Sequence, residues 1–570
     1  ADLCAPCAAL PHVWSEGLLF AQSGLDGWTK HANAVVCAAD RVGYDLLLHR
    51  PKRRVLRLRL PGTSETHIAT GDVLAASAGA ENLVMTMARH EVIVGSFSAG
   101  VEIGLDQRDD VAIDEIEDED GSQLGWISID EGVDAVALVH RDGRFALAVA
   151  SDPDEAIEDA EMALERDPWV IAASHLTMYH ELPGSGDDQE LAAKCLSVMR
   201  VNAMSPEGSF DIRWSTPDRV PHRDCWLWDS AFHAVGMQHC DPRAASEYLT
   251  AVYRSQRDDG MIPHQCRPNG TGSAITQPPI LMWAAWQVWQ RTGDEKDLKA
   301  AAYHGARYLE WDLANRDSNG NSLLEWFIED NPHCRSGESG LDNSQRFDEA
   351  LCMDAVDFSV FVAEDMRHLA LILRELGQDD EAARWDQRAA ATRAAIHELL
   401  WDDQAGLYVD RHMDGHLSSI QSVVGFLPLL LEDLPSERRA RLLTSLADPA
   451  RFAAAHPIPA IALNDPNWST DMWRGSTWIN TNYLVIEGLR RQGCQAEHDA
   501  LRRATLDLVF SHYRRAGTSF EFYDARGEVV PERCLRKGPV PEPYECRSKT
   551  SAIRDYHWTA ALCFDLIATG

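Results

Sequence analysis

The stretch CWLWDSAFHAVG, residues 225–236, sets one carboxylate, Asp229, among Trp226, Trp228 and Phe232. A carboxyl group in such company is paired, caps a helix, or is held protonated for use, because excluded water raises its pKa. The cap reading suits a helix over SAFHAVGMQ, although Phe232 stands where a reciprocal capping box puts Glu or Gln. Far along the chain, TSFEFYDARGE carries Glu521. If that segment is extended, Glu521 shares a face with Ser519 and Tyr523, while Phe520 and Phe522 take the other. Such a glutamate fits either a base that stays ionised or a solvated edge residue. One neutral acid and one charged carboxylate are what hydrolysis of a glycosidic bond requires.

The long loops between these two stretches are rich in Trp, Asp, Asn, Gln and His. Sugars suit this mixture, since an apolar ring face packs on Trp while hydroxyls take amides and carboxylates. Asp342 in SGLDNSQRFD and Asp471 in STDMWRGSTW fit hydroxyl-binding or loop-tying roles. Gln256 and His264 in SQRDDGMIPH fit substrate hydroxyls, with a backbone-satisfied buried His as an equal reading. NRDSNGNSLLEW offers Asp317, Asn319 and Asn321 at calcium-loop spacing, but the sixth position is Ser322 and the twelfth Ile328. It therefore reads as a polar turn, and no metal is expected. GxxxxGK[ST], GxGxxG, GxSxG and HExxH are all absent, which removes the best signals for phosphate loops, dinucleotide sites, esterase elbows and zincins.

Two kinds of element must position these residues. Up to about residue 150, YDLLLHR, VLRLRL, NLVMTMARHEVIVGSF, WISID, DAVALVH and FALAVAS show the period-2 signal of strands and predict an antiparallel β-sandwich over 1–152. Residues 153–188 read as an acidic linker helix and a loop. From 189 the spacing becomes helical, with candidates at 189–203, 229–239, 242–257, 277–291, 296–314, 357–376, 378–398, 417–431, 435–446, 479–493, 496–513 and 556–568. Several come in pairs joined by short TGD, LGQDD or RQGC links, which is how helical hairpins read. Six hairpins closing on themselves predict a mainly α fold, an (α/α)₆ barrel over 189–570, carrying the functional loops at one end.

Composition narrows the partners. The 570 residues carry 53 basic and 89 acidic side chains, a net charge of −36, which repels nucleic acid and anionic membranes. No apolar run reaches the roughly 20 residues of a membrane span, and the first residues lack a basic-then-apolar secretory pattern. Thirteen cysteines, an odd number, argue against a disulfide framework and for a reducing, cytoplasmic setting. Cys4 and Cys7 form a lone CxxC without a second pair to complete a zinc site.

Seven ordered stretches together resemble the (α/α)₆ glycosidases of glycoside hydrolase family 63, bacterial branch, with trehalases as cousins. They are SPEGSFDIRWSTPDRVPHRDCWLWDSAFHA, QRDDGMIPH, TQPPILMWAAW, SGLDNSQRFD, WRGSTWINTNYLVIEGL, FEFYDARG and DYHWTAAL. The N-terminal LLFAQSGLDGWTKH is similar to the opening of the family's β-sandwich. The resemblance implies that Asp229 is the general acid and Glu521 the general base. It places Trp226, Gln256, His264, Gln277, Asp342, Arg474, Trp478 and Trp558 in the segments that line the family's sugar pocket. Two departures touch the rim: Ser476-Thr477 in WRGSTW where Pro is usual, and Gln345 where Pro is common. The implied activity is that of an inverting, exo-acting α-glycoside hydrolase, foremost an α-glucosidase on a disaccharide, short oligosaccharide or glucosylglycerate-like solute. An α-mannosidase or trehalase of the same fold is the nearest alternative. From other classes, a sugar epimerase or isomerase and a non-catalytic sugar-binding protein compete. No cofactor is implied, since water is the second substrate, and the expected partner is a small carbohydrate.

Overall fold

The computed structural model describes residues 20–25, 29, 36–39, 46–49, 56–62, 65–105, 111–114, 121–129, 132–219, 222–331, 333–348, 350–538 and 551–570. The Cys4–Cys7 motif and half of LLFAQSGLDGWTKH lie outside them. β1 (Val36–Ala39) pairs with β2 (Leu46–His49), and β3 (Leu56–Arg59) pairs with β8 (Glu102–Leu105). The other N-terminal strands are β4 (Glu65–Ala69), β5 (Val73–Ala78), β6 (Glu81–Arg89), β7 (Val92–Phe97), β9 (Val111–Asp114), β10 (Gln123–Ile129), β11 (Gly132–Arg141) and β12 (Arg144–Ala150). They form one eight-stranded sheet in the order β4–β5–β6–β7–β12–β11–β10–β9, every pairing antiparallel.

Alternation along β11 shows how the sheet is sandwiched. Val136 and Leu138 join Leu74, Met85 and Ile93 against Leu56 and Leu58 of β3. Ala135, Ala137 and Val139 face the other way, with Ala146 and Ala148. Their small side chains let helix α1 (Pro153–Leu164) lie close through Ala156, Ala160 and Ala163. Asp142-Gly143, with φ of 53° and 72°, makes the tight β11–β12 turn, the sign of φ that a two-residue hairpin needs. Among the described residues, the layer opposite α1 is the β3–β8 pair.

Beyond α2 (Pro168–His175) the structure is helical: α3 (Asp187–Val201), α4 (Leu227–Met237), α5 (Pro242–Arg254), α6 (Leu281–Thr292), α7 (Glu295–Asn315), α8 (Val356–Glu375), α9 (Asp379–Leu399), α10 (Ser436–Leu446), α11 (Ile479–Arg491), α12 (Gln495–Ala516) and α13 (His557–Thr569). The helix expected over 417–431 is instead a 3₁₀ segment, Val423–Leu430. Pro428 lies inside it, without an amide to donate, and Leu431 bonds back three residues to its carbonyl. In space α4, α6, α8, Val423–Leu430, α11 and α13 each pack on the next, and α13 packs on α4 again. Behind them lie α3 against α13, α5 against α4, α7 against α6, α9 against α8 and α12 against α11.

Burial separates the two sets. Every residue of α4 is buried, whereas α9 buries only Ala382, Trp385, Ala389, Thr392 and Ile396, a single stripe at helical spacing. The sheet is fastened to the helices by a buried ion pair, Arg200 of α3 to Asp72 at 2.7 Å, beside Gly71, whose amide donates to Ser197. No helix among the described residues is long and apolar enough to cross a membrane.

Candidate active site

α4 begins immediately after a two-residue ladder, Cys225–Trp226 against Gln265–Cys266, continued by Leu227, whose amide donates to the His264 carbonyl. That ladder fixes where the first turn points. Trp226 occupies the N-cap position without a side-chain cap bond, so Asp229 is the third residue of the helix rather than its cap. Trp228 packs against Gly340, where an added Cβ would come within 2.4 Å of the indole, so the loop 336–342 can close on it only through glycine. Glu521 sits in extended chain. Its amide donates to the Ile553 carbonyl, and Tyr523 exchanges backbone bonds with Thr477 at 2.8 and 3.0 Å. Those bonds tie the Glu521 segment to the loop leading into α11; Thr477, one of the two departures from the family pattern, supplies one of the amides.

These segments enclose a cavity of about 70 Å³. Asp229 and Glu521, 292 positions apart in the chain, both line it, with Trp226, Trp228, Gln277, Asp342, Trp478 and Trp558. Trp478 is stacked at 3.7 Å on Trp473 and at 4.8 Å on Phe522, and Trp558 stands edge-on to Trp228. The cavity also gathers residues that sequence reasoning passed over: Arg536, Lys537, His222 and Tyr556. Arg536 grips Glu521 through Nε at 2.8 Å and Nη2 at 3.0 Å, and Lys537 reaches Asp342 at 2.6 Å. Asp471 is a loop tie. Its carboxylate accepts from the Asn343 amide group and from the backbone N–H groups of Lys537 and Gly538.

Three expected residues lie elsewhere. Gln256 lines a larger groove of about 1100 Å³ on the outside, between α5 and α7. Its amide group donates to the carbonyls of Gly260 and His304 and its oxygen accepts from His304 and Arg307, so it pins a loop to α7. Size does not make that groove the site, since its carboxylates Asp241 and Glu247 are paired with Arg213 and Asp297 with Ser246. Arg474 forms a forked pair with Asp348 and holds the Asn343 carbonyl. His264 stands one layer behind Trp226, with its ring edge-on at 4.9 Å and Nδ1 bonded to Ser273. Burial lowers its pKa to about 4, so it is neutral. In the calcium-like turn, the amide groups of Asn319 and Asn321 donate to Asp354, while Asp317 accepts backbone N–H groups.

Four buried polar atoms on the cavity wall have no partner among the described residues: Trp226 Nε1, Trp558 Nε1, Asp229 Oδ1 and Arg536 Nη1. Buried polar groups are rarely left so unless something else completes them. Burial raises the Asp229 carboxyl well above the usual carboxylate range. The bond from its own amide lowers it in part, and the charges of Glu521, Asp218 and Asp342 raise it further. A carboxyl group that burial drives toward its neutral form and an ion-paired carboxylate thus share one aromatic-walled cavity.

Residues 221–559 match the mannosylglycerate hydrolase MGH1-like glycoside hydrolase domain. The chain belongs to this family, and its helical part is a glycoside hydrolase domain. Mannosylglycerate hydrolase MGH1 of Selaginella moellendorffii is 27% identical over 383 residues, covering 52% of this chain and 75% of that one. Glucosylglycerate hydrolase of Mycolicibacterium hassiacum is 23% identical over 427 residues, covering 57% and 92%. The crystal structure of the family 63 mannosylglycerate hydrolase from Thermus thermophilus, in complex with glucose, superposes with a TM-score of 0.53 at 22% identity, covering 66% of this chain and 99% of that one. That likeness concerns the fold.

Proposed function

We propose that this glycoside hydrolase is an inverting, exo-acting enzyme that releases one hexose from a small α-hexoside, with Asp229 as general acid and Glu521 as general base. A proton held on Asp229 passes to the glycosidic oxygen as the C–O bond breaks. A water on the opposite face of the ring attacks the anomeric carbon and gives its proton to Glu521. The unpartnered Oδ1 of Asp229, in the same cavity as an ion-paired Glu521, carries this reading. The aromatic walls and the two free indole N–H groups suit a sugar ring and its hydroxyls. Relatives named for mannosylglycerate and glucosylglycerate support a hexoside of a small hydroxy acid, of which α-glucosylglycerate is our first choice and α-mannosylglycerate the second. The cyclic order of helix packing supports an (α/α)₆ barrel from about residue 189, preceded by a sandwich-like sheet region over 1–152 and a connecting segment over 153–188.

An isomerase would need paired histidines at the sugar. Among the described residues only His222 lines the cavity, and its Nδ1 bonds Asp218 at 2.6 Å, while His557 is stacked on His233 behind the wall. The test is hydrolysis of α-glucosylglycerate, α-mannosylglycerate and trehalose, with product anomer followed by NMR immediately after mixing. The expected product is the β-hexose from one of the glycerates. An α product would mean a covalent intermediate, and release from none of the three would sink the hydrolytic assignment of these residues.

A further inference from the structure

The base is not a bare carboxylate. Glu521 Oε2 accepts from Arg536 Nε at 2.8 Å and, at 3.4 Å, from the Ile553 amide, while among the described residues Oε1 accepts only from Arg536 Nη2, at 3.0 Å. Each carboxylate oxygen offers about two acceptor positions, so the open one lies on Oε1. The guanidinium itself cannot drift. Its side chain is 3% exposed, and the backbone of the next two residues is bonded to Asp471 while the Lys537 ammonium is bonded to Asp342. Two contacts at fixed spacing set the plane of the carboxylate as well as its place, which a lysine's point charge does not. Arg536 Nη1 is buried and without a partner among the described residues.

We propose that Arg536 is the positioning residue of the base: its fork pairs with Glu521 and turns it so that Oε1 is the atom that takes the proton of the attacking water. This rests on the reading of Glu521 as the base. Asp229 of α4, Asp342 of the loop before α8 and Asp218 before α4 all face this cavity or act on it electrostatically, and Lys537, His222 and Tyr556 are the other titratable groups on its wall.

The experiment uses the full chain, the best of the three glycosides above, and the pH profile of kcat/KM for Arg536→Met, Arg536→Lys and Glu521→Gln. Arg536→Met should lower kcat at least about tenfold and move the acid limb upward by about 1–3 pH units, the usual influence of one adjacent guanidinium. Arg536→Lys should keep the limb near its wild-type position yet still lower kcat, because charge survives and the fork does not. A wild-type acid limb in Arg536→Met overturns the proposal, whatever its melting temperature, since a merely structural arginine leaves the limb in place. Should Arg536→Met fail to fold, a wild-type kcat in Arg536→Lys overturns it as well. Full activity in Glu521→Gln would instead remove the base assignment itself; an inactive Glu521→Gln beside an unmoved Arg536→Met profile removes only the role of Arg536.

Discussion

Asp229 and Glu521 are each 2% exposed, yet the two walls of the cavity treat them in opposite ways. On the Asp229 wall the company is Trp226, Trp228 and Trp558, and one carboxyl oxygen has no hydrogen-bond partner among the described residues. On the Glu521 wall both oxygens are bonded to a guanidinium and one also to an amide. Burial alone therefore does not assign the proton. What decides is whether the wall supplies donors and a cation that compensate the buried charge; where it does not, the group keeps its proton. Two similar side chains are set up differently because two different chain segments meet around them, which is what the proposed acid and base roles require.

Turnover breaks this comparison most forcefully. Asp229→Asn and Glu521→Gln should each lower kcat by at least about 10²–10⁴-fold, measured on whichever glycoside is cleaved. Stability should then separate what activity makes alike. Glu521→Gln leaves Arg536 buried without its counter-charge and should cost about 3–5 kcal/mol in denaturant unfolding, as broken buried pairs do. Asp229→Asn removes no such partner and should melt no lower than wild type at neutral pH. Equal destabilisation of the two would erase the distinction drawn between the walls.

The tryptophans sharpen the same contrast. Trp478 is 1% exposed and stacked between Trp473 and Phe522, so Trp478→Ala should act chiefly on folding, at about 3–5 kcal/mol. Trp226 is only partly buried and its Nε1 is unpartnered, so Trp226→Ala should act chiefly on substrate, weakening binding by about 1–3 kcal/mol in titration calorimetry with an inactive variant. An unchanged affinity for Trp226→Ala would make it another wall support.

Much of this was legible in the sequence where a local pattern carries the physics. Helical spacing gives α9 its single buried stripe, and period-2 alternation gives β11 its two faces. A carboxylate within WLWDS or SFEFYD stands out because its neighbours are aromatic. The partner that grips Glu521 does not stand out: Arg536 sits in PERCLRKGPVPEP, where nothing but the fold brings it to Glu521. Gln256 and Arg474 mislead for the converse reason. They stand in segments next to the cavity, but their own bonds, to Gly260, His304 and Asp348, turn them into supports. Pro428 was visible within 417–431, and its missing amide explains why that segment tightens into 3₁₀ geometry.

The smallest effect, and the most specific to the Asp229 wall, is in the pH dependence of stability. Burial first, then the charges of Glu521, Asp218 and Asp342, hold the folded carboxyl above its ordinary value of 3.8, against a partial lowering by its own amide. A carboxyl raised by folding binds its proton more tightly in the folded chain than in the unfolded one. Its contribution is therefore complete below the unfolded value and is lost as pH rises through the folded one. Asparagine carries no proton to lose. The melting temperature of Asp229→Asn relative to wild type should thus rise steadily from about pH 4.5 upward and level off only above the folded carboxyl's own value. The comparison with wild type cancels the titration of the acids that do not interact with Asp229, leaving its own proton and its coupling to Glu521, Asp218 and Asp342. A difference that stays flat from pH 4.5 to 8 would mean that Asp229 is already ionised in the fold, and the acid would have to be sought elsewhere on the wall.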